Sequence, residues 1–387
     1  MDELRLNPVY YTAEHLALRE SLRRFVAAEI TPHAAAWDEA GGFPRELYAR
    51  AADVGLLGLG FPEEYGGLPG VDYFHRLVAS LELAQAGSGG VVASLMSHTI
   101  GSPPVAALGS AELKQRVLPE VLAGRRIAAL AITEPSGGSD VAALRTTAVR
   151  DGDHYVLRGE KTFITSGLRA DYLTVAARTD PTARGARGLS LLLVEGDTPG
   201  LTRTPLAKMG WWASDTAHLH FDGCRVPAAN LIGPENSGFL AIMLNFNAER
   251  FALAASAVGF AWVCYQEALA WARERHTFGQ PLMAQQVIRQ KIVRMIDAVL
   301  PLQAWLVQLS QRIDAGEQPV AEISLAKNLG GRVMRDCADD AVQILGGAGF
   351  MRGGRVERIY REVKVMMIGG GAEEILNDLA AKQLGLI

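Results

Sequence analysis

The chain has 387 residues, of which 49% are hydrophobic and 21% charged, and its formal net charge is −4. This length and composition allow a large buried core in two or three structural units. No run of like charges stands out, so neither a nucleic acid nor a membrane surface is expected as a partner. The three scattered cysteines form no Cys/His cluster, which favours free thiols in a reducing compartment over a metal site or disulfides.

Two segments bear on targeting. The opening residues, MDELRLNPVY, are acidic from the second position and contain no apolar stretch, so no secretory signal is expected. With an Ala-, Arg- and Leu-rich composition, this suits a cytoplasmic bacterial protein. The apolar stretch from Phe251 to Ala272 is long enough to span a membrane, but it contains Ser256, Gln266 and Glu267 and is flanked by charges. We interpret it as a helix buried inside a bundle.

The first third of the chain reads as helical. Apolar residues recur near helical spacing after Thr12, a candidate N-cap, and two further amphipathic helices are predicted over 72–85 and 111–123. The middle third changes to short strand-like runs separated by Gly, Pro and Asp turns, predicted over 146–150, 154–158, 161–165, 172–177, 189–194 and 218–221. Short strands at this spacing are typical of a small antiparallel barrel or sandwich.

From residue 236 onward the pattern is helical again, in long segments predicted over 237–273, 284–314, 319–345 and 373–385. Four long helices with modest connections indicate a bundle. The order helical, then β, then helical predicts an α+β fold with three units, which we place at 1–126, 127–235 and 236–387.

Two glycine-containing segments invite a ligand-binding interpretation. Gly346 to Gly354, GGAGFMRGG, follows a helix and opens no βαβ unit, so it lacks the context of a dinucleotide fingerprint. Thr133 to Asp140, TEPSGGSD, combines hydroxyls and two adjacent glycines just before the β region. Such a loop can bring backbone N–H groups and hydroxyls close to a flat polar ring or a phosphate, although taken alone a solvated turn is at least as common.

A series of motifs in order along nearly the whole chain resembles the acyl-CoA dehydrogenase family. Besides TEPSGGSD and two N-terminal segments, RRFVAAEITPHAAAWDEAGGFP and LLGLGFPEEYGG, it comprises KTFITSG (161–167), KMGWWASDTAHLHFDGCRVPAANLIG (208–233), RERHTFGQP (273–281) and QILGGAG (343–349). The resemblance implies an N-terminal helical domain, a central antiparallel β-barrel and a C-terminal four-helix bundle, usually in a homotetramer that binds FAD. It also implies oxidation of an acyl-CoA thioester to a trans-2-enoyl-CoA, with electrons passed to an electron-transfer flavoprotein.

The resemblance further implies residue roles toward FAD. Thr133 and Thr165 should hydrogen-bond its isoalloxazine ring, Phe163 should cover that ring in place of the family's usual tryptophan, and Ser139 should lie at the phosphate or substrate side. The FAD of an adjacent protomer should be held by residues of the last two motifs and the helix between them, namely Arg275, Thr277, Phe278, Gln286, Gln343 and Gly347. Ala372 and Glu374 match positions at the FAD edge, and Ala372 lacks the hydroxyl that is usual there.

The catalytic base departs from the common pattern. Most relatives carry a glutamate where this chain has Gly370, so that position cannot supply the base, although its backbone N–H can still polarise the thioester carbonyl. A branch resembling isovaleryl-CoA and long-chain acyl-CoA dehydrogenases places the glutamate on the first long bundle helix, which here indicates Glu249. Glu373 and Glu374 remain rivals, and both open the last helix, where carboxylates favour the dipole without any catalytic role.

Some alternatives stay open at this point. Asn247 and Arg250 match positions near the pantetheine of the substrate, but Arg250 could equally be a buried structural partner of the base region. Gly369 replaces a bulky tyrosine, and the extra room suits a branched or longer acyl group. The main functional alternatives are an oxygen-using relative, either an acyl-CoA oxidase or a flavin monooxygenase, and a non-catalytic flavoprotein paralogue.

Overall fold

The computed structural model describes residues 9–183 and 185–387; residues 1–8, on which the expectation of no secretory signal rests, lie outside them. The N-terminal part is helical. Its α-helices are α1 (Ala13–Phe25, continued by a π-helical turn Val26–Ile30), α2 (Ala34–Ala40), α3 (Glu46–Asp53), α4 (Tyr73–Ala84), α5 (Gly89–Leu95), α6 (His98–Gly101), α7 (Pro103–Leu108) and α8 (Ala111–Leu122).

Side-chain caps explain where the predicted N-terminal helices begin. Thr12 accepts a hydrogen bond from His15 N at the start of α1, Asp72 accepts one from His75 N at the start of α4, and Ser110 caps α8. Each cap satisfies a backbone N–H that the first turn of a helix leaves without a partner.

The caps of α1 and α4 meet in one cluster of metal-ligand residue types, formed by His15, Asp72 and His75. The Thr12 N–H donates to His15 Nδ1 at 2.9 Å, so the proton of a neutral His15 ring sits on Nε2, which donates to Asp72 at 3.0 Å. His75 Nδ1 lies 2.7 Å from the same carboxylate. The hydrogen bonds of the two caps therefore account for this cluster as a joint between helices.

The central part is a sheet of eight strands, β1 (Ala128–Ala131), β2 (Thr147–Asp151), β3 (His154–Thr165), β4 (Tyr172–Arg178), β5 (Leu189–Glu195), β6 (Leu201–Pro205), β7 (Thr216–Pro227) and β8 (Leu231–Ile232). Their order is β6-β7-β3-β2-β4-β5-β8, with β1 paired to β4. Most pairs are antiparallel, which agrees with the predicted antiparallel barrel, while β1–β4 and the single β2–β4 pair are parallel.

The barrel is open, because within the described residues the strand ladder ends at β6 and β8 without joining them. The runs predicted separately over 154–158 and 161–165 form one strand, β3. A register shift between β3 and β7 lies between Lys161 and Ile164. Phe163 sits inside that irregularity with a φ of 61° and a side chain that is 70% exposed. The bulge therefore turns a large aromatic ring away from the sheet.

The C-terminal part consists of α9 (Gly238–Glu274), a small hairpin β9 (His276–Thr277) and β10 (Gln280–Pro281), then α10 (Gln286–Asp314), α11 (Val320–Leu345), α12 (Gly347–Phe350), α13 (Arg355–Ile368) and α14 (Glu373–Gln383). The four predicted long helices correspond to α9, α10, α11 and α14. The sequence analysis missed α13, which packs against α11 and α9. The C-terminal part therefore contains α13 in addition to the four long helices predicted from the sequence.

The apolar run that resembles a membrane span lies in α9, in the core of the C-terminal part. By length and composition α9 and α10 could each cross a membrane, as could the bent pair Gly89–Leu95 and His98–Leu108 taken as one span. In α9, 78% of the most apolar window is buried inside the protein. Its buried residues include Phe251 and Trp262, packed with residues of α4, α10 and α11. The three cysteines are buried and free.

The crossing of α9 over α4 depends on a glycine. A Cβ added at Gly259 would lie 2.5 Å from Ala84 Cβ and 2.9 Å from the Leu81 carbonyl oxygen, so the two helix backbones approach each other closely there. Any side chain at this position must push the helices apart.

Replacing Gly259 with alanine is therefore expected to lower the free energy of unfolding by roughly 1 to 3 kcal/mol, because overpacking outweighs the gain in helix propensity. Chemical denaturation of Gly259→Ala against wild type measures this. Gly42→Ala is the matched control, since a Cβ at Gly42 meets no atom within 4 Å. Equal stability of Gly259→Ala and wild type would contradict the tight crossing.

Candidate active site

Glu249 of α9 and the glycine turn after α13 face each other. A Cβ built at Gly370 would lie 3.8 Å from Glu249 Oε1 and 2.7 Å from Leu253 Cδ1. The Glu249 carboxyl group and Leu253 thus occupy the space into which a side chain at residue 370 would point. Gly370 also has a φ of +69°, which a residue with a side chain rarely adopts. The presence of a glycine at residue 370 and the position of the Glu249 carboxyl group therefore depend on each other.

The turn is held from the α9 side by Arg250. Arg250 is buried, and its Nε donates to the Gly370 carbonyl oxygen at 2.9 Å while Nη1 donates to Asn247 Oδ1 at 3.2 Å. Its guanidinium also lies 5.6 Å from the Phe246 ring. These contacts give Arg250 and Asn247 a structural role beside the base region; their binding of substrate stays a prediction.

A second cation, Lys327 of α11, holds the other side of the turn, and the sequence analysis did not find it. Lys327 is buried, and its Nζ donates to the carbonyl oxygens of Met367 at 3.0 Å and Gly371 at 2.7 Å. The hydrogen bonds of the turn leave the Gly370 N–H without an acceptor among residues 9–183 and 185–387. A free N–H group therefore points from a turn whose carbonyl groups are fixed.

The electrostatics of Glu249 suit proton transfer. Burial raises the pKa of its carboxyl to about 7, against the opposing attraction of Arg250 and Lys327. The side chain keeps part of its surface accessible, so a bound molecule can reach it. Within the described part of the chain, no group forms a hydrogen bond or an ion pair with the carboxylate. Glu249 is therefore available to take a proton from a ligand near neutral pH.

The two rival carboxylates are placed differently. Glu373 forms an ion pair with Arg332, and Glu374 is exposed at the start of α14. Neither environment resembles the half-buried, unpaired carboxyl of Glu249. The geometry favours Glu249 as the base among the three glutamates considered from the sequence.

The TEPSGGSD loop is fixed to β3 by a buried ion pair that the sequence analysis also missed. Lys161 Nζ lies 2.8 Å from Glu134 Oε1 and donates to the Ile132 carbonyl oxygen at 2.9 Å. Burial lowers the pKa of Lys161 to about 8, and the attraction of Glu134 opposes that shift. Removing one partner of such a pair is costly because it leaves the other charge buried alone. The loop and the strand are thereby held as one rigid surface.

On this surface the backbone N–H of Thr162 donates to the Thr133 carbonyl oxygen at 2.8 Å. Thr133 and Thr165 are half-buried, Ser139 is exposed, and the ring of Phe163 stands clear of the sheet. The structure therefore brings the loop and the β3 residues predicted from the sequence side by side. Their contacts with a ligand stay predictions.

A second group of the residues predicted to bind the cofactor lies away from this surface, around the β9–β10 hairpin and the ends of α10 and α11. Phe278 is 98% exposed with a φ of 52°, and Thr277 Oγ1 is buried without a partner among the described residues. The other members of this group, Arg275, Gln286, Gln343 and Gly347, are exposed. An aromatic ring held in a strained conformation toward solvent is typical of a contact surface for a ligand or another subunit. Ala372, half-buried, and the exposed Glu374 flank the glycine turn instead.

Family models of the acyl-CoA dehydrogenases match the chain along most of its length. The N-terminal domain matches residues 12–125, the middle domain residues 129–224 and the C-terminal domain residues 236–385. These matches follow the order of helices, sheet and helices.

Individual relatives agree with the family models. Cyclohexane-1-carbonyl-CoA dehydrogenase of Geobacter metallireducens is 36% identical over 378 residues, covering 97% of this chain and 99% of the relative. The crystal structure of a probable acyl-CoA dehydrogenase from Mycobacterium abscessus is 47% identical with a TM-score of 0.94, covering 97% of this chain and 100% of the other. A glutaryl-CoA dehydrogenase of Mycobacterium smegmatis, solved in complex with FADH2, is 27% identical with a TM-score of 0.90, covering 98% and 97% of the two chains. The chain belongs to the acyl-CoA dehydrogenase family.

Proposed function

We propose that the protein is an FAD-dependent enzyme that converts an acyl-CoA thioester to the trans-2-enoyl-CoA, with Glu249 as its catalytic base. The observation that carries the proposal is the half-buried, unpaired Glu249 carboxyl group directly opposite the Gly370 turn. Its pKa of about 7 matches a base that must be ionised before the reaction and must bind a proton during it.

The chain's residues fit the cofactor. Phe163 presents an exposed ring beside the Thr133 loop, where a planar isoalloxazine would stack, although more weakly than on tryptophan. Thr277 Oγ1 is a buried group that lacks a hydrogen-bond partner among the described residues, and Arg275 offers an exposed guanidinium fork suited to a pyrophosphate. When bound, FAD would accept the β-hydrogen of the substrate as a hydride. Thr133 and Thr165 would orient its ring.

The residues around Glu249 divide the remaining work. The free N–H of Gly370 would donate to the thioester carbonyl oxygen, which acidifies the α-hydrogen because negative charge develops on that oxygen. Glu249 would remove the α-proton onto its carboxylate. Leu253, 2.7 Å from the Cβ position of Gly370, lines the same space with apolar surface and helps to exclude water.

The acyl group is proposed to be medium to long, or branched. Among the described residues, a Cβ at Gly369 would meet only the Val365 carbonyl oxygen within 4 Å, at 3.1 Å, so most of the space is open where relatives carry a large side chain. The relative from Geobacter metallireducens is named for a substrate with a ring at its α-carbon, which is consistent with a roomy site. Branching near the thioester would use that space directly.

The electron acceptor and the oligomeric state of the enzyme are two further parts of the proposal. We infer that electrons pass to an electron-transfer flavoprotein and that the enzyme is a cytoplasmic homotetramer. Exposed apolar residues on α10, including Val287, Val293 and Leu300, together with Phe278, support contact with further subunits. Rapid reoxidation of the reduced enzyme in air would instead favour an oxygen-using relative.

Anaerobic mixing with a panel of straight and branched saturated acyl-CoAs is expected to bleach the oxidised flavin absorbance with one acyl class. Glu249→Gln should lower the rate of bleaching by about 10²- to 10⁴-fold with FAD still bound, because the base is lost. Glu373→Gln and Glu374→Gln test the two rival bases, and each variant should still bleach when its FAD is bound. Bleaching by Glu249→Gln at the wild-type rate would make the base assignment wrong. If no acyl-CoA bleaches the flavin of a fully flavinated wild type, the proposed function is wrong.

The raised pKa of Glu249 also predicts a stability cost. The folded protein keeps this carboxyl protonated up to about pH 7, whereas the unfolded chain ionises it at its ordinary value of 4.5, so stability falls as the pH rises across that interval. Above it, the ionised side chain costs up to about 3 kcal/mol relative to a neutral one.

Glu249→Gln is therefore expected to raise the midpoint of thermal unfolding at about pH 8 and to change it little near pH 5. Scanning calorimetry of both proteins at the two pH values measures this difference. The exposed Glu374→Gln substitution should show no such dependence. A Glu249→Gln protein less stable than wild type at about pH 8 would show that the carboxylate is retained for stability.

A further inference from the structure

We propose that Lys327 is a positioning residue for the reaction, which fixes the Gly370 turn and sets a positive charge toward the Glu249 carboxyl group. The inference rests on the proposed function. Lys327 lies in the first third of α11 with its side chain buried, and it contacts neither solvent nor a reacting atom in the described arrangement. Its effect would reach the substrate through Gly370 and Glu249.

Lys327 and Arg250 together fix the shape of the turn. Lys327 Nζ donates to the carbonyl oxygens of Met367 and Gly371, one on each side of Gly370, while Arg250 Nε donates to the carbonyl oxygen of Gly370 itself. Two cations from two different helices thus hold three carbonyl groups within five residues. Because glycine loses more conformational freedom on ordering than any other residue, the Gly369–Gly371 run needs such restraints to keep one conformation.

The fixed turn also sets the direction of the Gly370 N–H. With its neighbouring carbonyl groups fixed, the peptide group that carries this N–H cannot rotate freely. An oxyanion donor contributes only when it is already aimed at the place where charge develops. Without Lys327, the turn would lose the restraints at both ends and the N–H would lose its fixed direction.

Lys327 also contributes its charge. The charged groups that face Lys327 are Glu249 and Arg250 on α9 and Glu373 on α14. Glu373 already has an ion pair with Arg332, whereas Glu249 has none among the described residues. Burial lowers the pKa of Lys327 to about 8, with Glu249 opposing the shift and Arg250 adding to it. Lys327 is therefore charged at neutral pH, and its charge favours the ionised form of Glu249.

Loss of the Lys327 charge should change the pKa of Glu249 in a definite direction. Removing the cation takes away an interaction that lowers the pKa of Glu249, so that pKa should rise further above its present value of about 7. The base would then need a higher pH to ionise. The acidic limb of the pH profile for flavin reduction should move to higher pH, which a purely structural role of Lys327 would not cause.

The test is anaerobic stopped-flow reduction of the FAD-bound enzyme by the acyl-CoA class that reduces wild type, as a function of pH. Lys327→Met, which keeps the length of the side chain, is expected to reduce roughly 10- to 100-fold more slowly at neutral pH, because small misplacements of catalytic groups cost rates of this order. Its acidic limb should lie at higher pH. Lys327→Arg, which keeps the charge, should retain the wild-type limb even if its rate falls.

The matched control is Lys364→Met, the same change at an exposed lysine of α13, which should behave as wild type. If Lys327→Met cannot be isolated with bound FAD, Lys327→Gln takes its place, since it also lacks the charge and should show the same shift. If a neutral variant has the same acidic limb and the same rate of flavin reduction as wild type, the inference is overturned while the proposed function stays intact. If wild type itself is not reduced by any acyl-CoA, the proposed function fails first.

Discussion

The site depends on one volume of space that side chains of α9 fill and that a side chain at residue 370 would contest. At the turn after α13, the carboxyl group of Glu249 and the side chain of Leu253 occupy the position toward which a residue at 370 would project, and Gly370 has a backbone conformation that suits glycine. The arrangement therefore requires three things together: a glycine in the turn, an acid on α9, and a means of holding a flexible turn. Arg250 and Lys327 supply the last of these from two helices.

This solution has an energetic cost. Arg250, Lys327 and the distant pair Glu134–Lys161 are charged groups removed from water, and each is tolerable only because carbonyl groups or an opposite charge compensate it. Such a density of buried charge contributes little to stability by itself. Its role is instead to fix polar groups in position. On one side of the site it holds β3 and the Thr133 loop, and on the other side it holds the glycine turn.

The sequence predicts the long helices well because α9, α10 and α11 carry sustained apolar patterns and the N-terminal helices begin at recognisable caps. Helix α13 was missed because buried charged residues, including Arg358 and Glu362, interrupt its apolar pattern. Strand β1 is a short run without alternation, and β6 is polar and lies at the end of the ladder, so neither gives a strand signal. The proposed base could be chosen from the sequence because Gly370 replaces the family's usual glutamate while α9 carries an acid. The roles of Lys161 and Lys327 could not be inferred, since their partners lie tens of residues away in the sequence. A lysine in a predicted helix or strand is also normally expected to be exposed to solvent.

The most direct test of the account is the exchange of the α-hydrogen of a bound acyl-CoA with solvent deuterium, which reports proton removal apart from electron transfer. Proton NMR under anaerobic conditions in D2O, with the reduced enzyme, measures the loss of the α-hydrogen signal. Wild type is expected to catalyse the exchange, and Glu249→Gln should lower its rate by about 10²-fold or more, because the carboxyl group that faces the Gly370 turn is lost. Exchange by Glu249→Gln at the wild-type rate would contradict it and place the base elsewhere.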